Sequence, residues 1–72
     1  MKKRHKDIIQ ALRDLGGTAT LREISERTGL HVNGLSKSMY SVGQYMPLEF
    51  LGGKGGEQTY RIKVAGLEVF DN

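Results

Sequence analysis

The sequence contains no cysteine and no tryptophan, and it has a single proline. Without cysteine, the chain can form neither a disulfide nor a thiolate metal site. It also lacks a run of about 18 apolar residues, the length that a membrane-spanning helix needs. The basic start resembles the first part of a signal peptide, but Asp7, Gln10 and Asp14 interrupt the apolar stretch that should follow. We therefore expect a soluble cytoplasmic protein with no membrane partner.

Groups that support catalysis are also scarce. The only histidines, His5 and His31, are far apart, no carboxylate pair lies in an apolar stretch, and no serine has a base nearby. A chain of 72 residues forms one domain, expected here over residues 1–72. Such a domain buries only about 60% of its unfolded surface, which disfavours a deep catalytic cavity. We expect no enzyme activity, no metal, no cofactor and no small-molecule ligand.

The charge is unevenly placed along the chain. Eleven lysines and arginines stand against eight acidic residues, for a net charge of +3. Four of the bases lie within residues 1–6, while residues 28–48 contain no acid and include Lys37. This distribution favours a surface that meets polyanions. The alternative is a solvated basic terminus and a chance distribution elsewhere.

Apolar spacing predicts three helices. The first contains Ile8 and Leu12 and stops at Gly16; it starts either at residue 8, through an Asp7/Gln10 capping box, or near Lys3. In the first case residues 1–6 form a disordered basic arm. After a short strand over residues 18–20, Thr20 and Glu23 form the capping box of the second helix, which Gly29 ends.

The third helix is predicted over residues 31–42, with Gly43 as its stop. Leu35, Met39 and Val42 follow at helical spacing and should be buried. The polar residues between them should then face outward, and they are Asn33, Ser36, Lys37, Ser38, Tyr40 and Ser41. His31 is a poor residue for starting a helix, so Asn33 is an alternative cap.

Alternating apolar residues predict a C-terminal β-hairpin over residues 48–64, with a flexible, glycine-rich tip at 52–57. The tip lacks the Gly-Lys-Ser/Thr ending of a phosphate-binding loop, so it is interpreted as a turn. Two interpretations remain open for the apolar tail that follows, with Leu67, Val69 and Phe70. It forms either the last layer of the core, which the small size favours, or the interface of a homodimer.

Together these segments resemble the winged helix-turn-helix family. The resemblance covers residues 4–70 and is carried by three groups of residues: Thr28-Gly29-Leu30 followed by Leu35-Ser36-Lys37 and Met39; Leu48-Glu49-Phe50-Leu51; and Tyr60-Arg61-Ile62 with Gly66. It implies an α+β fold with a three-helix core, a short strand and a two-stranded hairpin, the wing. It also implies a transcriptional regulator from a prokaryote or virus that binds double-stranded DNA.

In that family the third helix enters the major groove and the wing flanks it on the backbone or in the minor groove. The resemblance makes Asn33, Ser36 and Lys37 the candidates for base contacts, with Ser38, Tyr40 and Ser41 reaching phosphates. Further contacts are expected from Thr20 and Arg22 at the start of the second helix, Lys54, Gln58 and Arg61 in the wing, and Lys3 and Arg4 at the N-terminus.

Alternatives remain open for several of these residues. Tyr40 could instead pack at the edge of the core. Arg61 could instead pair with Glu49 or Glu57 across the hairpin. Gly34 either lets the backbone approach a phosphate or avoids a clash inside the protein. For the whole chain, the alternative to DNA binding is a winged-helix module that docks onto a protein within a larger complex.

Overall fold

The computed structural model describes residues 1–63 of the chain, so the apolar tail and the end of the predicted hairpin at residue 64 lie outside the described residues. The elements follow in the order helix, strand, helix, helix and hairpin. Their bounds are α1 Lys3–Asp14, β1 Thr18–Thr20, α2 Leu21–Thr28, α3 Val32–Tyr45, β2 Leu48–Gly52, a 3₁₀ turn Gly55–Glu57 and β3 Thr59–Ile62.

The strands form one antiparallel sheet in the order β1-β3-β2. β2 and β3 pair as the predicted hairpin, with Phe50 opposite Tyr60 and Glu49 opposite Arg61. β1 pairs with the other edge of β3, where Ala19 lies opposite Tyr60. The described chain is thus a small α+β domain with three helices and a three-stranded antiparallel sheet.

The core lies between the three helices and one face of the sheet. Its fully buried side chains are Ile8, Leu12, Leu21, Ile24, Leu35 and Val42. Met39 and Ile62 join them, so the apolar triplet predicted for the third helix is confirmed. His5 is also buried, with its ring centroid 6.1 Å from that of Tyr45. The first turn of α1 is therefore packed against α3.

Of the two predicted starts of the first helix, the one near Lys3 is correct. Asp7 and Gln10 do not cap a helix: Asp7 accepts a hydrogen bond from Lys3 Nζ at 3.3 Å, and Gln10 Nε2 donates to Asp14 at 2.8 Å. Asp7 and Gln10 therefore each pair with a residue four positions away on the same helix. The interpretation of residues 1–6 as a disordered arm is wrong from Lys3 onward.

The third helix is longer than predicted, because Gly43 lies inside it rather than ending it. Gly43 keeps a negative φ, and the helix continues to Tyr45, two residues before Pro47. At its start His31 is the cap, since its Nδ1 accepts a hydrogen bond from the Asn33 amide at 3.1 Å. The predicted capping box of α2 is confirmed, as is Gly29 as its left-handed stop, with φ +78°.

Candidate nucleic-acid interface

The solvent-facing side of α3 carries a polar row that we call the outward ridge. It consists of Asn33, Lys37, Tyr40 and Gln44, which follow at intervals of four, three and four residues and are all exposed. Tyr40 is 79% exposed, so its alternative role at the edge of the core is wrong. The same spacing also includes Gln44, which the sequence prediction missed because it ended the helix at Gly43.

A second side of α3 faces α1. Arg4 Nε donates a hydrogen bond to Ser38 Oγ at 2.8 Å, and both side chains are half-buried. A Cβ atom at Gly34 would collide with the Arg4 guanidinium. The prediction that Ser38 faces outward is therefore wrong, because Ser38 joins two helices, and Gly34 makes room for Arg4. Ser41, one turn beyond Ser38, is likewise half-buried.

A third side of α3 faces the hairpin across an open groove of about 360 Å³, which we call the aromatic groove. The cross-strand pair Phe50 and Tyr60, with ring centroids 5.3 Å apart, forms one wall. Burial raises the pKa of the Tyr60 hydroxyl, so that group stays neutral at physiological pH. From α3 the groove is lined by Ser36, Met39, Tyr40, Gly43 and Gln44, and from the hairpin by Leu48, Phe50 and Tyr60.

The hairpin tip, predicted to be flexible, forms a defined 3₁₀ turn tied to α2. Arg22 Nη1 donates to Glu57 Oε1, and the Leu21 amide donates to the Gln58 carbonyl at 2.9 Å. Gln58 Nε2 in turn donates to the Gly55 carbonyl at 3.1 Å. Gly53 is required here, because a Cβ at that position would collide with the backbone of Glu57. The tip is therefore held against α2, and the side chain of Lys54 is exposed on it.

Several bases predicted to contact DNA already have partners. Arg61 pairs across the hairpin with Glu49, at 2.5 Å from Nη2 to Oε1, which confirms that alternative. Lys3 pairs with Asp7, and Arg22 with Glu57. Thr20 is also engaged, since its Oγ1 accepts the Glu23 amide at 3.1 Å. Among the bases predicted for DNA contact, Arg4, Lys37 and Lys54 make no ion pair with any residue in 1–63, and Arg4 donates to Ser38 instead.

The acidic side chains collect on the surface of α1 and α2. A shallow depression there is lined by Asp7, Asp14 and Arg27, and a second one by Glu23, Glu26 and Arg27. The helix α3 contains no acid, and the two acids of the hairpin, Glu49 and Glu57, each pair with an arginine. Hence α3 exposes Lys37 and no acid, whereas the hairpin tip, α1 and α2 expose charges of both signs.

Comparison of the chain with protein-family models, curated proteins and solved structures finds no match. Within residues 1–63 no helix is both long and apolar enough to cross a membrane. The same residues contain no group of three or more histidine, aspartate or glutamate side chains arranged to hold a metal ion.

Proposed function

We propose that this chain is a winged helix-turn-helix protein that binds double-stranded DNA, with α3 in the major groove and the hairpin beside it. The observation that carries the proposal is the outward ridge, an exposed row of amide, ammonium and hydroxyl groups on a helix without acids. The order of elements supports it, since the antiparallel hairpin follows directly after that helix. Gene regulation is the role that we propose for such binding.

The dimensions of α3 suit the major groove. Fourteen residues give a helix of about 21 Å, with a diameter of roughly 10–12 Å including side chains, and the groove is about 12 Å wide. Asn33 and Gln44 have the amide geometry that pairs with adenine, and Lys37 suits guanine or a phosphate. The ridge would therefore supply base contacts from three turns of one helix.

Phosphate contacts come from the hairpin and from α2. Lys54 lies at the tip without an ion-pair partner among residues 1–63. Arg22 pairs with Glu57 of the tip and Arg61 pairs with Glu49 on the strands, and both ion pairs are exposed. Such surface pairs contribute only about 0–1 kcal/mol, so an arginine can exchange its carboxylate for a DNA phosphate at low cost. The paired arginines thus remain available to DNA.

A titration of a fluorescent mixed-sequence duplex tests the proposal with a matched pair of variants. Lys37→Gln removes one positive charge from the outward ridge, and Arg27→Gln removes one from the α2 surface, where Arg27 lies 3.7 Å from Asp14. We expect Lys37→Gln to weaken binding at least about fivefold and Arg27→Gln to change it less than about twofold. Equal losses in both variants, or no binding by the unaltered chain, would refute the proposal.

A protein-docking module is the second candidate, favoured by exposed apolar side chains on the hairpin. Phe50 is 56% exposed and Leu51 44% exposed. A docking surface of this kind would tolerate the loss of Lys37 and Lys54, whereas DNA binding would not. The double variant Lys37→Gln/Lys54→Gln therefore separates the two functions.

A further inference from the structure

The aromatic groove shares Tyr40 and Gln44 with the outward ridge but adds apolar side chains from the hairpin. Phe50 and Tyr40 are largely exposed, although burying them would be favourable in a chain with so small a core. The hydrogen-bond pattern of a duplex groove is recognised by polar groups, so the Phe50 ring does not contribute to that recognition. Planar aromatic faces are suited to stacking on an unpaired nucleic-acid base.

The walls of the groove also match the other parts of a nucleotide. Ser36 and Gln44 place a hydroxyl and an amide at its α3 side, both able to hydrogen-bond the polar edge of a base. No acidic residue lines the groove, and Lys37 follows Ser36 directly on the outward ridge, where it can meet the phosphate of the same nucleotide. The groove therefore combines aromatic rings with a hydroxyl and an amide, and Lys37 is the next residue in the chain after the groove residue Ser36.

Size favours a single base over a larger occupant. A volume of about 360 Å³ lies at the lower end of the roughly 300–1,000 Å³ range of small-ligand sites. A partner helix is about 10 Å wide and needs a groove several turns long. A second copy of the chain would need roughly 20–30 residues a side for a standard interface.

We propose that the aromatic groove binds one unpaired base, so that the protein prefers duplex DNA with an extruded or bulged nucleotide over fully paired DNA. The inference rests on the proposed DNA binding and adds to it a class of DNA structure. A base that is already unpaired avoids the cost of leaving the stack, and stacking then contributes directly to affinity. The groove opens between α3 and the hairpin.

The test compares one duplex in two forms, fully paired and with a single unpaired 2-aminopurine, an adenine analogue whose fluorescence reports stacking. The unaltered protein should bind the bulged form about tenfold more tightly and change its fluorescence. Phe50→Leu, which keeps an apolar side chain but removes the ring, should lose that preference while binding paired DNA as before. Phe50→Tyr should retain the preference, and so should the control Leu51→Ala, which alters a neighbouring exposed side chain that does not line the groove.

The outcomes distinguish this inference from the function on which it rests. Equal affinity of the unaltered protein for both forms overturns the inference but leaves DNA binding intact. Failure to bind either form overturns both. Sedimentation of the free protein tests whether a second copy of the chain occupies the groove. A dimer that Phe50→Leu dissociates, together with equal binding of bulged and paired DNA by the unaltered protein, would show that a second copy covers it.

Discussion

At the scale of single residues, the two glycines of α3 differ in what a side chain would meet. A Cβ at Gly43 finds no atom within 4 Å outside its own helical surroundings, whereas one at Gly34 collides with the Arg4 guanidinium. Glycine inside a helix costs about 1 kcal/mol relative to alanine. At Gly43 the missing side chain makes room for no contact within residues 1–63. At Gly34 it leaves the space through which Arg4 reaches Ser38.

We therefore expect Gly43→Ala to raise the free energy of unfolding by about 1 kcal/mol. Gly34→Ala should gain less or lose stability, because the new methyl group displaces Arg4 from its hydrogen bond with Ser38. Urea denaturation of both variants, read as midpoint and slope, measures the difference. Equal stabilisation by the two substitutions would show that Arg4 does not pack against α3 as described.

At the scale of elements, the contact between α2 and the hairpin tip connects residues far apart in the chain. Arg22 and Glu57 form its ion pair, and Gly56 lies beside the Arg22 side chain. Both charged side chains are largely exposed, so the pair contributes little to stability. The ion pair does place the negative charge of Glu57 next to Lys54, and it occupies the guanidinium of Arg22.

Glu57→Gln should therefore strengthen DNA binding by about two- to fivefold, because it frees Arg22 and removes a charge that repels phosphate. Glu26→Gln is the matched control, since it makes the same change of charge on the acidic α2 surface. Titration of one duplex with both variants provides the measurement. An equal gain in both would mean that only net charge matters, and a weaker complex with Glu57→Gln would contradict the placement of the tip.

The same elements show which features the sequence can predict. The capping box of α2 depends on two residues that are three positions apart. The burial of Leu35, Met39 and Val42 depends on their helical spacing, so both features follow from local patterns. Asn33, Lys37 and Tyr40 follow in the same way as exposed positions. Gly43 misled the prediction because glycine marks a helix end only where φ turns positive, which here it does not.

Contacts between distant segments could not be predicted. Arg4 and Ser38 are 34 residues apart, and Arg22 and Glu57 are 35 apart, so no local pattern links them. The pairing of β1 with β3 is equally non-local. These contacts decide which predicted site residues stay free for a ligand, and they leave Lys37 and Lys54 without an ion-pair partner in residues 1–63.

At the scale of the whole molecule, charge placement matters more than the net charge of +3. The helices α1 and α2 carry six bases and four acids, whereas α3 has one lysine and no acid, and both acids of the hairpin pair with arginines. On α3 and the hairpin, the attraction for a polyanion comes mainly from Lys37 and Lys54. Because that attraction comes from few charges, binding should depend on salt to a moderate degree.

We expect the logarithm of the association constant to fall with the logarithm of salt concentration with a slope of about −2 to −4, corresponding to two to four phosphate contacts. Lys54→Gln should make that slope shallower by about 1, and Arg27→Gln should leave it unchanged. Titrations at several salt concentrations measure it. A slope near zero, or one that both variants change equally, would argue against phosphate contacts at the tip.

NMR can map the bound surface of the protein if its backbone amide signals are followed as duplex DNA is added at low salt. We expect shifts that cluster in residues 33–44 of α3 and 53–58 of the hairpin tip, with small changes along the exposed side of α1 near Asp14 and of α2 near Glu26. Shifts confined to the α1 and α2 surface, or no shifts with any mixed-sequence duplex, would contradict this expectation.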